Sequence, residues 1–486
     1  MAVAAADTDY GLLIDGEEIQ AGEVTGLWDP STGEQYGTAR IGGAAEIDRA
    51  VAAAKRAFEE HWALSVPAER GRLMQRLAAA IREHADELAE VVMRNAGHPP
   101  AFAAGDAANA ARYFEYYGGV ADKIHGEQIP LGPEVVDFTV REPYGVCAVI
   151  PPFNGPLQML ARSSAPAIAA ANTVVVKPTE QAPAPALALA RVLASCDIPP
   201  GVLNVVPGAA EAGQRLVGHE DVAHITFTGS VATGAAIMRG AADTITPVTL
   251  ELGGKSPQVV FADADLDAAA AAIVGSALVT AGQVCSAGTR VLVAREVHDA
   301  LVEAVTERAR AIRVGPPLEG ADMGPVISAA QRERVGAMID TAQGEGARLV
   351  SGGKDLPADV PAGGHFVTPT LFDNVDPHSE LAREEVFGPV LALIPFGDPR
   401  EALRLANDTD FGLAAGVWTR DAGLAHWMGR EVKSGQVFIN NYGVGGGIEL
   451  PFGGFKRSGI GREKGMVALH EYTQVKNLCV KVEGPA

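Results

Sequence analysis

At 486 residues the chain is longer than one hydrophobic core usually organises, so two or three lobes are expected. Its 60 acidic residues against 39 basic ones leave a formal charge of −21, which argues against a nucleic-acid partner but not against a small anionic cofactor held by backbone donors. The longest uncharged apolar stretch, Ala268 to Gly282, is too short for a bilayer, so no membrane partner is expected.

Met1 to Tyr10 carry Asp7 and Asp9 with no basic residue before an apolar run, which is not a secretory signal, so the cytoplasm is the default location. The four cysteines, Cys147, Cys196, Cys285 and Cys479, lie far apart with no paired spacing, and neither a disulfide framework nor a zinc site is expected.

In chain order, a short turn-rich opening includes Asp29-Pro30-Ser31-Thr32-Gly33. Two helical patterns follow. In the first, Ile47, Val51, Ala54, Phe58 and Trp62 recur every three or four positions. The second runs from about Ala68 through Leu73, Leu77, Ile81, Leu88 and Val92, and is expected to stop near Gly97, before Pro99 and Pro100.

From about residue 142, short apolar runs alternate with Ala- and Leu-rich helical stretches such as Ala182–Ala194. The runs are Val146–Ile150, Thr173–Lys177, Val202–Val206, Ile225–Phe227, Val248–Leu250 and Val259–Phe261. Strands that are continuously apolar predict a parallel sheet covered on both faces. A second series follows, with Val291–Val293, a helix through His298–Ile312, Leu391–Ile394 and Gly416–Thr419. The fold class is therefore α/β with two lobes. The tail, Tyr472 to Val482, alternates like an exposed strand that pairs with something.

Several positions have the residue types for chemistry, each beside a plainer alternative. Cys285 lies in Gly282-Gln283-Val284-Cys285-Ser286-Ala287-Gly288, where glycines let a substrate approach a thiolate; a lone cysteine is more often buried and inert. Glu251 ends an apolar strand before Gly253-Gly254, as a general base or as a partner of Lys255. Asn154, before Gly155-Pro156, offers an amide for an oxyanion or is ordinary turn chemistry.

Thr228-Gly229-Ser230-Val231-Ala232-Thr233-Gly234 follows a strand and can receive a pyrophosphate at a helix start, although no Gly-x-Gly-x-x-Gly occurs anywhere. Lys177 with Glu180, and Glu385 with Phe387, are strand-end groups suited to ribose and ring contacts or to solvated turns.

Together these segments resemble the aldehyde dehydrogenase family over nearly the whole chain. The matching stretches are Pro152-Phe153-Asn154, Lys177-Pro178-Thr179-Glu180, Phe227-Thr228-Gly229-Ser230, Glu251-Leu252-Gly253-Gly254-Lys255, Gly282-Gln283-Val284-Cys285, Glu385-Val386-Phe387-Gly388-Pro389 and Pro451-Phe452-Gly453-Gly454.

The resemblance implies NAD-dependent oxidation of an aldehyde to a carboxylic acid, with Cys285 as nucleophile. Asn154 and the Cys285 backbone N–H would form the oxyanion hole, and Glu251 would be the base that hydrolyses the thioester. It places Phe153, Lys177, Glu180, Gly229, Ser230, Glu385 and Phe387 against the cofactor. The Glu180 carboxylate suits two ribose hydroxyls and repels a 2′-phosphate, which favours NAD over NADP.

The resemblance also implies a Rossmann-like NAD-binding lobe (1–122 and 142–251) and a catalytic lobe (252–445). A small β extension (123–141 and 446–486) would join subunits into a homodimer or homotetramer. An unpaired edge strand in the tail agrees with that role.

Two departures stand out. Many relatives carry Lys where this chain has Ser163, which puts the usual proton route in doubt. Arg162 matches a position that often faces the substrate tunnel, where it binds the far carboxylate of a semialdehyde or pairs with a nearby acid. Gly155, Met159, Val284 and Ser286 complete the expected tunnel, and an aromatic or aliphatic aldehyde is favoured over a semialdehyde.

Overall fold

The structure, a computed structural model, describes residues 9–443 and 447–482. Residues 1–8, read above for a targeting signal, the expected lobe boundary at 445 and the last four residues lie outside the described residues.

Five parallel strands form the middle of an eight-stranded sheet, in the order Val248–Glu251, Val222–Thr228, Val146–Ile150, Thr173–Val176, Leu203–Val205. Leu12–Ile14 and Glu17–Ile19 extend one edge and Gly459–Ile460 the other, each antiparallel to the strand it pairs with on its inner side. The continuous apolar strands have the expected cause. Cys147 and Val149 join a core with helices Pro67–Glu83, Pro100–Val120, Pro156–Ala169 and Ala184–Ala194, while Val146, Ala148 and Ile150 join another with Ala44–Ala57, Ala210–Val217 and Val231–Ala242. Side chains alternate between faces, and both faces are covered.

The second sheet has seven strands, ordered Arg348–Ser351, Thr370–Asp373, Val390–Phe396, Arg290–Ala294, Pro257–Val260, Ala414–Trp418, Gln436–Ile439, parallel except for the first. The buried segment 252–256 leads from the C-terminal end of Val248–Glu251 to the N-terminal end of Pro257–Val260. The tail strand Thr473–Lys481 pairs antiparallel with Val135–Pro143 along its whole length, and Gln128–Ile129 completes a three-stranded sheet.

Two helical expectations need correction. The pattern from Ala68 to Gly97 is two helices, Pro67–Glu83 and Ala85–Ala96, because His84 leaves the helical region at φ −102°, ψ 15°. Gly97 does end the second at φ 71°. Pro100 then opens helix Pro100–Val120, because a first-turn proline has no N–H that the helix needs. The prolines mark a start as well as a stop.

In the first sheet, Val146–Ile150 and Val222–Thr228 are neighbours whose onward connections run in opposite directions. The crevice beyond the carboxyl ends of such strands is where open α/β sheets bind ligands. Pro151–Asn154 and Gly229–Ser230 follow those two strand ends, and Lys177 and Leu252 follow the strands beside them.

Candidate active site

A cavity of about 940 Å³ opens at this crevice. Its wall includes Phe153, Asn154, Lys177, Glu180, Gly229, Ser230, Cys285, Glu385 and Phe387. Segments more than 200 residues apart in sequence meet there because the carboxyl ends of the first sheet face the amino ends of the second.

The nucleotide-facing wall is built from strand ends. Ser230 caps helix Val231–Ala242, its Oγ accepting the Thr233 N–H at 3.2 Å, and Ser230, Ala232 and Thr233 of that first turn line the cavity. A Cβ on Gly229 would lie 2.3 Å from the Phe227 ring, so a larger residue there would have to push that ring aside. Lys177 is buried, which depresses its ammonium pKa, and its Nζ donates to the Gly208 carbonyl. Glu180 stands partly exposed beside Thr179, whose hydroxyl donates to it at 3.4 Å.

On the opposite wall, Gly254 N–H donates to Glu385 Oε1 at 3.2 Å, and burial pushes the Glu385 carboxyl up to about 7. Phe387 meets Phe153 edge to face, ring centres 6.0 Å apart. Gln331 Nε2 donates to the Phe387 carbonyl at 2.8 Å and holds that backbone in place, although Phe387 itself sits at φ 52°.

Cys285 is the only cysteine on the cavity wall; Cys147 is packed inside the first sheet and Cys479 lies on the exposed tail strand. Burial pushes its thiol up to about 12, opposed by the Arg162 charge, so the resting group is a neutral thiol. The turn leading to it is unusual. Thr280, Ala281 and Gly282 all have positive φ, 52°, 53° and 70°. For the first two, that conformation costs roughly 1–2 kcal/mol per residue. Asn154, itself buried, reaches this loop, and its Nδ2 donates to the Gln283 carbonyl at 2.7 Å. That bond uses one of the amide's two N–H groups.

Glu251 does not border the cavity. It is almost fully buried, and neither carboxylate oxygen has a hydrogen-bond partner among the described residues. A Cβ on Gly453 would lie 2.8 Å from its Oε1. Burial raises its pKa well above the usual range, with the Arg162 guanidinium opposing and Glu463 reinforcing the shift. A buried, neutral carboxyl with no fixed partner has no hydrogen bond to break before it moves.

The five expected tunnel residues lie elsewhere than on this cavity. Gly155, Met159, Arg162, Val284 and Ser286 lie on the segments beside Asn154 and Cys285, but none borders this cavity. Arg162 is buried, forms an ion pair with the equally buried Glu463 and lies over the Phe452 ring at 4.8 Å. Burial alone would lower its pKa, but Glu463 more than restores it. Ser163, at the position where many relatives carry Lys, donates to the other oxygen of Glu463 at 2.5 Å.

Sequence reasoning missed Glu463, Gln283 and Asp106. Asp106, on helix Pro100–Val120, accepts the Leu157 and Gln158 N–H groups at 3.1 and 3.0 Å and so caps the helix that follows Asn154. Glu463 and Asp106 act across long sequence separations that no local pattern marks, and Gln283, although part of the Gly282-Gln283-Val284-Cys285 stretch, reaches Ile327 and Asn154 far along the chain.

The family model described as "Aldehyde dehydrogenase family" matches residues 19–478. Among solved structures, a Burkholderia cenocepacia protein named as a candidate aldehyde dehydrogenase is 46% identical over 97% of this chain and 100% of its own, with a TM-score of 0.95. The NAD+ complex of an aldehyde dehydrogenase from Bacillus cereus is 38% identical over 99% of this chain and 98% of its own, with a TM-score of 0.96. Betaine aldehyde dehydrogenase from Staphylococcus aureus, in complex with NAD+, is 34% identical over 100% of this chain and 97% of its own, also at 0.96. The chain belongs to the aldehyde dehydrogenase family.

Proposed function

We propose that this protein oxidises an aldehyde to a carboxylic acid with NAD, through a thioester on Cys285 that water hydrolyses with Glu251 as base. The observation that carries this is the Asn154 amide bonded at 2.7 Å to the cysteine loop, at the inner end of a cavity of dinucleotide size. The cavity fits NAD. A helix N-terminus suits the pyrophosphate, the buried Lys177 with Glu180 suits the adenosine ribose, and Glu385 with Phe387 suits the nicotinamide end. The NAD+ complexes of the Bacillus cereus and Staphylococcus aureus relatives support the same cofactor. Bound there, NAD supplies the ring that accepts hydride from the substrate carbon.

The protein's own residues do the rest. Cys285 gives its thiol proton to solvent in the open cavity, and its Sγ, as thiolate, forms a bond to the aldehyde carbon and keeps the acyl group until water replaces it. The second Asn154 N–H and the Cys285 backbone N–H donate to the oxygen that turns negative in that adduct. Replacing Asn154 by alanine is expected to lower kcat by about 10²–10³-fold, with NAD affinity unchanged, in steady-state assays and a fluorescence titration. An N154A variant with normal kcat removes the amide from the oxyanion site.

Glu251 takes the proton of the attacking water. It works only when ionised, and burial has raised its pKa, so turnover rises with pH through that raised value and does not level off near pH 5. The raised Cys285 pKa adds a slope of the same sign. A kcat profile from pH 5 to 9 tests this; a flat or falling profile contradicts it.

Arg162 is neutralised by Glu463, so an aromatic or aliphatic aldehyde is the better substrate class than a semialdehyde. The deciding experiment supplies NAD and a panel of aldehydes while NADH absorbance is followed. We assign residues 1–122 and 142–251 to the cofactor lobe, 252–445 to the catalytic lobe, and 123–141 with 446–486 to an extension joining a homodimer or homotetramer. The cytoplasm is the proposed location.

A further inference from the structure

The loop that carries Cys285 is held in a conformation that its own residues resist. Thr280 and Ala281 are left-handed, and a β-branched residue there is a true outlier. Thr280 Oγ1 is also buried with no hydrogen-bond partner among the described residues. Local preference therefore does not make this turn, and contacts from outside it must.

Gln283 supplies them. It is fully buried and does not border the cavity. Its backbone N–H and its Nε2 both donate to the Thr280 carbonyl, at 3.1 and 3.0 Å, closing the turn on itself. Its Oε1 accepts the Ile327 N–H at 3.0 Å, tying the turn to the segment ahead of helix Ala329–Gly344. Its carbonyl accepts Asn154 Nδ2 at 2.7 Å. From the other side, a Cβ on Gly282 would lie 2.3 Å from the Gly388 carbonyl, so the turn is pressed against a second backbone.

We infer that Gln283 is a positioning residue that holds a strained left-handed turn and thereby keeps the Cys285 sulfur in register with the Asn154 amide. The inference rests on the roles proposed above for Cys285 and Asn154. It has a consequence that an ordinary packing role lacks. If Gln283 works against strain at Thr280, relieving that strain at its source makes the clamp less necessary. Asparagine accepts the left-handed region far better than threonine.

The test is a double-mutant comparison of T280N and Q283A, with kcat expressed per NAD-binding site so that loss of folded protein does not enter. Q283A is expected to lower kcat by about 10²-fold, because a small misplacement of reacting groups costs that much, while the affinity for NAD stays the same. T280N alone raises Tm and leaves kcat within about twofold, and in the Q283A background it restores about tenfold of the lost kcat. Q283E retains the acceptor for Ile327 but loses the donor to Thr280, and carries the same comparison should Q283A not fold. Unchanged kcat per site in Q283A or Q283E, or no restoration by T280N, overturns the inference. C285A is assayed in parallel: an active C285A overturns the nucleophile assignment itself, whereas an inactive C285A with strictly additive T280N and Q283A effects overturns only the clamp.

Discussion

Replacing Cys285 by alanine abolishes aldehyde oxidation and leaves NAD bound. The expectation follows from where the sulfur sits. Cys285 is the only thiol on the cavity wall, and the other three are packed in a sheet, on a helix end or on the tail. No neighbouring side chain replaces a nucleophile that must carry the acyl group through two chemical steps. The cavity floor toward the nucleotide is made by Lys177, Glu180, Gly229 and Ser230, none of which depends on the thiol, so the dissociation constant for NAD should hold. Activity is followed as NADH absorbance and binding as quenching of protein fluorescence. Retained turnover in C285A would mean that the chemistry takes place on another group.

Replacing Glu251 by glutamine separates the two halves of the reaction. Acylation of Cys285 does not need the carboxylate, so one equivalent of NADH per site appears in a burst. Hydrolysis does need it, and the steady rate after the burst is expected to fall by about 10²–10⁴-fold, the usual worth of a positioned general base. The burial of Glu251 makes the substitution a mild one for the fold. Its oxygens have no hydrogen-bond partner to lose among the described residues, and a neutral amide replaces a carboxyl that burial already holds neutral. Rapid mixing with NAD and aldehyde resolves both phases; an unchanged steady rate removes Glu251 from the hydrolytic step. The residual rate in E251Q should also lose the part of the pH rise that belongs to Glu251.

Much of this was legible in the sequence, and the rest was not, for physical reasons. The parallel strands around Val146–Ile150 declare themselves because a strand buried on both faces has no polar residue to hide, and the observed limits differ from the expected ones by a few residues at most. Among the groups on the cavity wall, Asn154, Lys177 and Gly229 follow strands, and Cys285 and Glu385 lie in the loops ahead of strands Arg290–Ala294 and Val390–Phe396, where the type of residue and its neighbouring glycines point to exposure of backbone and side chain. Helix Pro100–Val120 was missed because alanine stands on both of its faces, buried at Ala103, Ala107, Ala110 and Ala111 and exposed at Ala101, Ala104 and Ala108, so the sequence shows little contrast between the packed side and the open one.

Arg162 shows the limit most clearly. Its residue type suits a substrate carboxylate as well as an internal acid, and the acid it pairs with, Glu463, lies 301 positions later in the chain. The left-handed turn before Cys285 is hidden for the opposite reason, since Thr280 carries no local signal for a conformation that Gln283 and Gly388 impose from outside.

The most direct test is to catch the acyl group itself. E251Q, mixed with NAD and an aldehyde that turns over in the unmodified enzyme, is quenched in acid within the burst and digested, and the peptides are weighed. The peptide containing Cys285 should gain the mass of the acyl group less one hydrogen, in an amount equal to the burst, and should lose it on treatment with hydroxylamine. An acyl group on Cys147, Cys196 or Cys479, or NADH released with no adduct on any cysteine, would contradict the mechanism.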